Sequence, residues 1–430
     1  MSYAPSATLN RNHNMPSIPC ALLYHLAMPL LSFWKSNRDE VLKMTVEQVV
    51  SSAGDGHLRD GSEASKEFRD YLRVCPSESL FDYARHCLEN AFEKSGIVLQ
   101  DIVNELGRRL DFDVEDGLYQ GKKTVVGFDG IWRSQSDPDI LVEVKTTDYV
   151  AVSLDKIAAY KERLYGEHRI EPNACMLVVV GREDTGSLEA QVRGSRYAWD
   201  MRLISVERLI KLVQIKEKSD DPTTLTQIRQ LLRPFEYTKI DRIIDVIFTT
   251  AVDVEEQIAE HPPVEDLDHV RGGFKQDRTD PDLLSTKRLE AVEAFARSKG
   301  QELVRYSRTL FWSSDKTFRV CCAVSKRYEG DYQPYWYAFH PNWDRFLSEG
   351  KDSYFILSCM DRTEAYAVPY AVLDKDKKNL NMTDRGDKSY WHVALNTLED
   401  GSLAINLSRI GKKLALKPFA FSWSAAAKAS

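Results

Sequence analysis

Apolar positions in the first half of the chain change period near residue 115. Leu80, Tyr83, Ala84, Cys87 and Leu88 recur at helical spacing within Leu80–Phe92, and Val98, Ile102, Leu106 and Leu110 repeat the pattern. The stretch Glu47–Leu110 therefore predicts helices, punctuated at Gly54, Gly56, Gly61 and Pro76. Short β-rich runs follow: Val125, Val126 and Phe128, then Ile140, Leu141, Val142 and Val144, then Met176–Val180 closed by Gly181. Helical spacing returns over Leu154–Tyr165, and a short strand at Arg202–Ile204 leads into a helix with Ser205 as N-cap and Val206, Leu209, Ile210 and Val213 on one face. Helices before and between the strands predict an α/β domain, a mixed sheet flanked by helices.

Residues 253–283 break the pattern with Pro262, Pro263, Gly272, Gly273 and Pro281 among many acids, which predicts a linker. Beyond it, a helix over Ser285–Ser298 stopped by Gly300 precedes β-like runs at Phe318–Val324, Tyr335–Phe339, Tyr354–Ser358, Ala365–Pro369, His392–Leu395 and Leu403–Leu407. These predict a smaller α+β domain at 284–430, dominated by an antiparallel sheet. The first domain is expected over 45–252, with 1–44 as an extension outside it. The apolar run Cys20–Trp34, broken by His25 and Pro29, is too short to span a bilayer and lacks a basic leader.

The 430 residues are 43% apolar and 29% charged, as in ordinary globular proteins. The net charge of −7 argues against coating nucleic acid by bulk charge. Yet the last 130 residues carry 19 Lys and Arg against 15 Asp and Glu, so a local basic surface is available there. Seven scattered cysteines without a CxxC pair fit a reducing compartment and a cytoplasmic protein. No nucleotide-triphosphate loop, HExxH helix or Gly-x-Ser-x-Gly elbow is present. His340 and His392 sit among aromatics, a packed rather than ligating context.

The informative stretch is Gly127-Phe128-Asp129-Gly130-Ile131-Trp132, followed by Glu143-Val144-Lys145-Thr146. Asp129 is expected to end one strand, while Glu143 and Lys145 share a face of the next because side chains alternate. Two carboxylates brought together form a hard-oxygen site suited to Mg²⁺, with Mn²⁺ able to substitute, and the Val144 carbonyl is a further ligand. Lys145 beside them is placed to orient a water nucleophile and to meet charge developing on a phosphate. The competing reading is that an ExK triplet at a strand end is a solvated edge.

Asp129 with Glu143-Val144-Lys145 resembles the signature of the PD-(D/E)XK nuclease superfamily, the restriction-endonuclease-like fold. The run Gln100–Leu110 and the segment Gly117–Gly121 strengthen the likeness to prokaryotic restriction-endonuclease-like proteins, over roughly residues 45–250. Phe128 stands where many members have proline. Pro138-Asp139 lies too close to Glu143 for a two-strand hairpin, so Asp129 is preferred. The resemblance implies a metal-dependent DNA endonuclease, restriction or anti-phage defence, and homodimerisation. It also implies that Glu105, on the preceding helix, assists at the metal, and that Tyr160 is an accessory, although Lys156 replaces the usual glutamine before it. Thr146 is a second accessory candidate.

Arg108, Arg109, Arg193, Arg196 and Arg202 are candidate DNA contacts, the first two equally readable as helix C-terminal cations. In the C-terminal domain, aromatics interleave with bases: Trp312, Trp343, Arg308, Lys326 and Arg327 are candidates for stacking on bases and holding phosphates, against the reading that the rings fill a core. The domain is expected to recognise the target. Two alternatives stay open: a catalytically silent DNA-binding or regulatory protein of the same fold, and an RNA-directed or ligand-activated nuclease.

Overall fold

Wherever the apolar spacing is helical, the helices form, and their ends follow local chemistry. The computed structural model describes residues 29–90, 92–120, 127–135, 137–146, 153–181, 186–234, 281–328, 334–385 and 388–423. The chain divides into two compact units, 1–71 and 72–430.

In the first unit, α1 (Leu30–Ser36) buries Leu30 and Trp34, and Trp34 meets Tyr71 edge-on at 5.4 Å. The short helices α2 (Arg38–Val41) and α3 (Val46–Ser51) follow, the latter opened by a reciprocal Thr45/Gln48 capping box. Residues 29–43 belong to this unit, and residues 1–28 lie outside the described residues. Helix α4 (Glu63–Val74) carries the chain into the second unit.

The second unit opens with α5 (Ser77–Glu89) and α6 (Ser95–Arg109); α6 is buried along almost its whole length. A five-stranded sheet follows in the order β1 (Asp113–Asp116), β2 (Gly130–Ser134), β3 (Asp137–Lys145), β4 (Cys175–Val180), β5 (Met201–Ser205). The β1–β2 and β2–β3 pairs are antiparallel, and β3–β4 and β4–β5 are parallel, so the expected mixed sheet is present. Parallel pairs need crossovers, supplied by α7 (Leu154–Gly166) and α8 (Gly186–Arg193). Leu141, Met176, Val178 and Val180 on one sheet face pack against Leu154, Ile157 and Leu164 of α7. Ser205 caps α9 (Val206–Lys218) as expected, accepting from the Arg208 N–H, and α10 (Pro222–Leu231) is capped by Asp221. One strand differs from expectation: β2 starts after Asp129, not before it, because the alternation that pairs with β3 begins at Gly130. The expected strand residues Val125 and Val126 lie outside the described residues, as does the linker up to residue 280.

Helix α11 (Pro281–Lys299) ends at Gly300, whose φ of 63° is the left-handed stop that glycine tolerates. It packs Ala291, Val292 and Phe295 on a six-stranded sheet built from β6 (Val304–Arg305), β7 (Leu310–Trp312), β8 (Phe318–Ser325), β10 (Asp352–Cys359), β11 (Glu364–Pro369) and β16 (Ala420–Ser422). The other face of that sheet meets a second one, in which β9 (Tyr335–Phe339), β12 (Met382–Arg385), β13 (Lys388–Thr397), β14 (Leu403–Leu407) and β15 (Lys412–Ala415) pair antiparallel. The β8–β10 pair is parallel, joined across α12 (Pro341–Ser348), so the domain is not purely antiparallel.

Candidate active site

The β2–β3 register sets the site. Gly130, the first residue of β2, pairs with Val142, so Asp129 lies just before the strand, beside the Val142–Val144 stretch of β3 and close enough to Glu143 to feel its charge. The Val144 N–H donates to Asp129 Oδ2 at 2.6 Å, and the Asp129 N–H donates to the Val142 carbonyl at 3.3 Å. Backbone groups alternate along a strand, so the Val144 carbonyl looks toward the Asp129 edge while the Lys145 carbonyl, held by the Gly181 N–H at 2.8 Å, looks toward β4. Lys145 Nζ lies 2.5 Å from Glu143 Oε1. Both side chains keep a solvent-facing edge, 28% and 13% exposed.

Two carboxylates share a half-buried place with one lysine bound to the second. Burial, then the charge of Glu143, push the Asp129 carboxyl up to about 7, against the pull of the Val144 N–H and Lys145. A cation at this edge would relieve that repulsion, and two carboxylates with a backbone carbonyl are a hard-oxygen donor set of the kind Mg²⁺ takes. Among the described residues, no group of three or more His, Cys, Asp or Glu side chains gathers as metal ligands.

Helix α6 holds Asp129 in position from behind. Asn104 Nδ2 and Gln100 Nε2 donate to the Asp129 carbonyl at 2.8 and 3.2 Å, joined by the Gly117 N–H at 3.1 Å. Asn104 Oδ1 accepts from Trp132 Nε1 at 3.1 Å. A Cβ at Gly130 would overlap Asn104 Oδ1, and one at Gly117 would overlap the Phe128 carbonyl, so both glycines allow close approach. Reading by motif passed over Gln100 and Asn104 as positioning residues. Two amides four apart on the helix are the signal, since that spacing puts both on one face.

Glu105 turns away from this site. Its Oε1 accepts from Arg109 Nε at 2.9 Å and its Oε2 lies 3.5 Å from Arg108 Nη1, in a setting where Glu105 is 3% exposed. Arg109 is equally buried and donates to Ser77 Oγ, the Leu72 carbonyl and the Cys75 carbonyl. It is therefore a core arginine and not a DNA contact. Arg108 pairs with Asp116 at 2.6 Å and is 18% exposed. Lys156, on α7, lies close enough to Glu143 to feel its charge and covers the ring of the half-buried Tyr160. Thr146 follows Lys145 at the strand end and is half-buried. Asp139 lies within β3 itself, four residues from Glu143 and hence not across from it.

The remaining candidates scatter. Arg193 and Arg196 are exposed, near Glu189 and Asp155 respectively. Arg202 donates to backbone carbonyls at the start of β5. Arg308 is taken by Asp220 at 2.8 Å, and Arg327 by Asp361 at 2.6 Å. Lys326 covers Tyr328. Trp312 and Trp343 are 8% and 2% exposed and belong to the C-terminal core, Trp312 stacked on Phe346. They are not available to stack on bases; the alternation of β7 and the apolar face of α12 require them inside.

The six described cysteines are all free and buried, and burial pushes the thiols of Cys87, Cys175, Cys321, Cys322 and Cys359 up, Cys175 to about 11, which disfavours the thiolate a nucleophile needs. No helix among the described residues is long and apolar enough to cross a membrane. No protein-family model and no curated protein matches the chain.

Proposed function

We propose that the five-stranded sheet carries a Mg²⁺-dependent phosphodiester hydrolase that acts on DNA as an endonuclease, in keeping with the resemblance to the PD-(D/E)XK nucleases. The observation that carries the reading is the cluster at the β2–β3 edge, where the Asp129 carboxylate accepts from the Val144 N–H and feels the charges of Glu143 and Lys145, themselves paired at 2.5 Å. Asp129, Glu143 and the Val144 carbonyl would hold the metal, which when bound supplies positive charge beside the scissile phosphate. The Val144 N–H fixes the Asp129 carboxylate, and Gln100 and Asn104 fix its backbone. Lys145 holds Glu143 and presents its remaining N–H donors where a water is oriented and a phosphate gains charge.

Arg193 and Arg196 are two exposed cations of this domain suited to phosphate contact. With the aromatic candidates buried, target recognition by the C-terminal domain falls to surface bases such as Lys326 and Arg327. Cutting both strands asks for a second copy of the site, which makes a homodimer the working assembly, and defence against foreign DNA the setting.

Purified full-length protein is incubated with plasmid DNA, modified and unmodified, and with RNA, in Mg²⁺ or EDTA. DNA nicking that needs Mg²⁺ and falls at least about 100-fold in Asp129→Ala and in Lys145→Ala is the expected result. DNA bound tightly but left intact under every condition would overturn it in favour of a binding protein.

A further inference from the structure

A second constellation lies away from these carboxylates, where α9 and α10 meet the β6–β7 turn and α12. A pocket of about 120 Å³ is lined there by Lys216, Asp220, Tyr306, Arg345 and Glu349 among others. Lys216 is 4% exposed. Its Nζ lies 3.8 Å from the centroid of the Tyr306 ring and 5.7 Å from that of Trp312. Among the described residues no carboxylate lies within ion-pair distance of it and no hydrogen bond satisfies it. A buried ammonium held only by aromatic faces is costly to leave without a counter-charge.

The acids nearby are already committed. Asp220 accepts from Ser307, the Thr309 N–H and hydroxyl, and Arg308. Asp221 caps α10 through the Thr223 N–H, and Glu349 pairs with Arg319. Asp111, whose charge reaches Lys216, is held by Arg229 and Lys316. Arg345, exposed at the rim, has no side-chain partner among the described residues. Two uncommitted cations, one buried and one at the mouth, thus face this pocket.

We propose that this pocket binds a small molecule through a compact oxyanion, a phosphate or a carboxylate group, with Lys216 as the buried counter-charge and Arg345 closing the mouth. The inference does not rest on the nuclease reading. Its probes are inorganic phosphate, a phosphate monoester such as glycerol phosphate, and acetate, titrated into the full-length protein in EDTA and followed by calorimetry. Saturable binding of phosphate compounds or of acetate is expected, the tighter series identifying the source. Binding should weaken at least tenfold in Lys216→Met and in Arg345→Glu, and persist in Glu143→Gln. Because Arg345 is exposed, Arg345→Glu keeps the fold and decides the matter should Lys216→Met unfold. Absence of saturable binding by all three probes, or binding unchanged in Arg345→Glu, would overturn the proposal.

Discussion

Asp129 is the residue on which the chemistry and the stability of the site conflict. Its carboxyl is pushed to about 7 from an ordinary value of 3.8, so the folded protein holds a proton there that the unfolded chain releases between those pH values. Unfolding is then favoured as pH rises through that window, and the cost is fully present above about pH 7. Asp129→Asn should therefore raise stability at pH 8 by roughly 1–3 kcal/mol, a gain that shrinks toward zero as pH approaches 4, even as it abolishes hydrolysis. Thermal unfolding of both proteins across pH 4–8 reads this directly; a gain independent of pH would mean that Glu143 and burial are not its source. Saturating Mg²⁺ should reproduce part of the gain in the wild type and none in Asp129→Asn. Gly130 makes the second test at this scale. Its missing Cβ leaves the space that Asn104 Oδ1 occupies, so Gly130→Ala should cost about 1–3 kcal/mol and lower activity together, through loss of the amide that holds the Asp129 backbone. A stable Gly130→Ala with full activity would show that Asn104 is not a positioning residue.

Among elements, α6 shows why a motif residue can be read in the right place and assigned the wrong neighbours. Its apolar positions Val98, Ile102 and Leu106 are visible in sequence, and they suffice to place a helix before the sheet. They do not say which way the polar side chains turn. Gln100 and Asn104 turn toward Asp129, whereas Glu105 turns with Arg109 toward Ser77 and the end of α4. That choice depends on long-range packing, because a buried arginine needs carbonyls and a carboxylate that only the folded chain assembles. The strand pair was more legible: alternation along β3 put Glu143 and Lys145 on one face without any tertiary information. The aromatic-rich C-terminal segments misled for the same reason in reverse, since Trp312 of β7 and Trp343 of α12 both turn inward and only the two-sheet packing of the C-terminal domain shows it. Glu105→Ala is therefore expected to cost about 3–5 kcal/mol by leaving Arg109 buried without its carboxylate. Under conditions where the variant stays folded, its dependence on Mg²⁺ concentration should match that of the wild type. A shifted Mg²⁺ requirement with unchanged stability would instead restore Glu105 to the metal.

At the scale of the whole molecule, the acidic balance of −7 is spread over roles that differ in kind. Asp129 and Glu143 repel each other at an open edge, whereas Asp220 is an acid the fold has surrounded. Despite burial, Arg308, Ser307 and the Thr309 N–H hold its carboxyl below the ordinary value. Asp220 sits between α9 and α10, and its partners come from the β6–β7 turn of the C-terminal domain. The Asn342 side chain of α12 donates to its carbonyl at 2.7 Å. One residue before the expected linker thus gathers groups from beyond it, none of them near it in sequence, and nothing in its local pattern announces it. A depressed acid contributes stability above its unfolded value that is lost as pH falls through the folded one. Acid should therefore loosen this junction before it disturbs either hydrophobic core. Asp220→Ala, which removes the carboxylate that holds the half-buried Arg308, should cost about 3–5 kcal/mol at neutral pH. Because the partners belong to separate sheets, the expected calorimetric trace changes shape: one transition in the wild type and two in the variant, the first reporting the sheet that loses its neighbour. A single transition merely shifted downward would show that the hydrophobic contacts, not Asp220, bind the two halves into one cooperative unit.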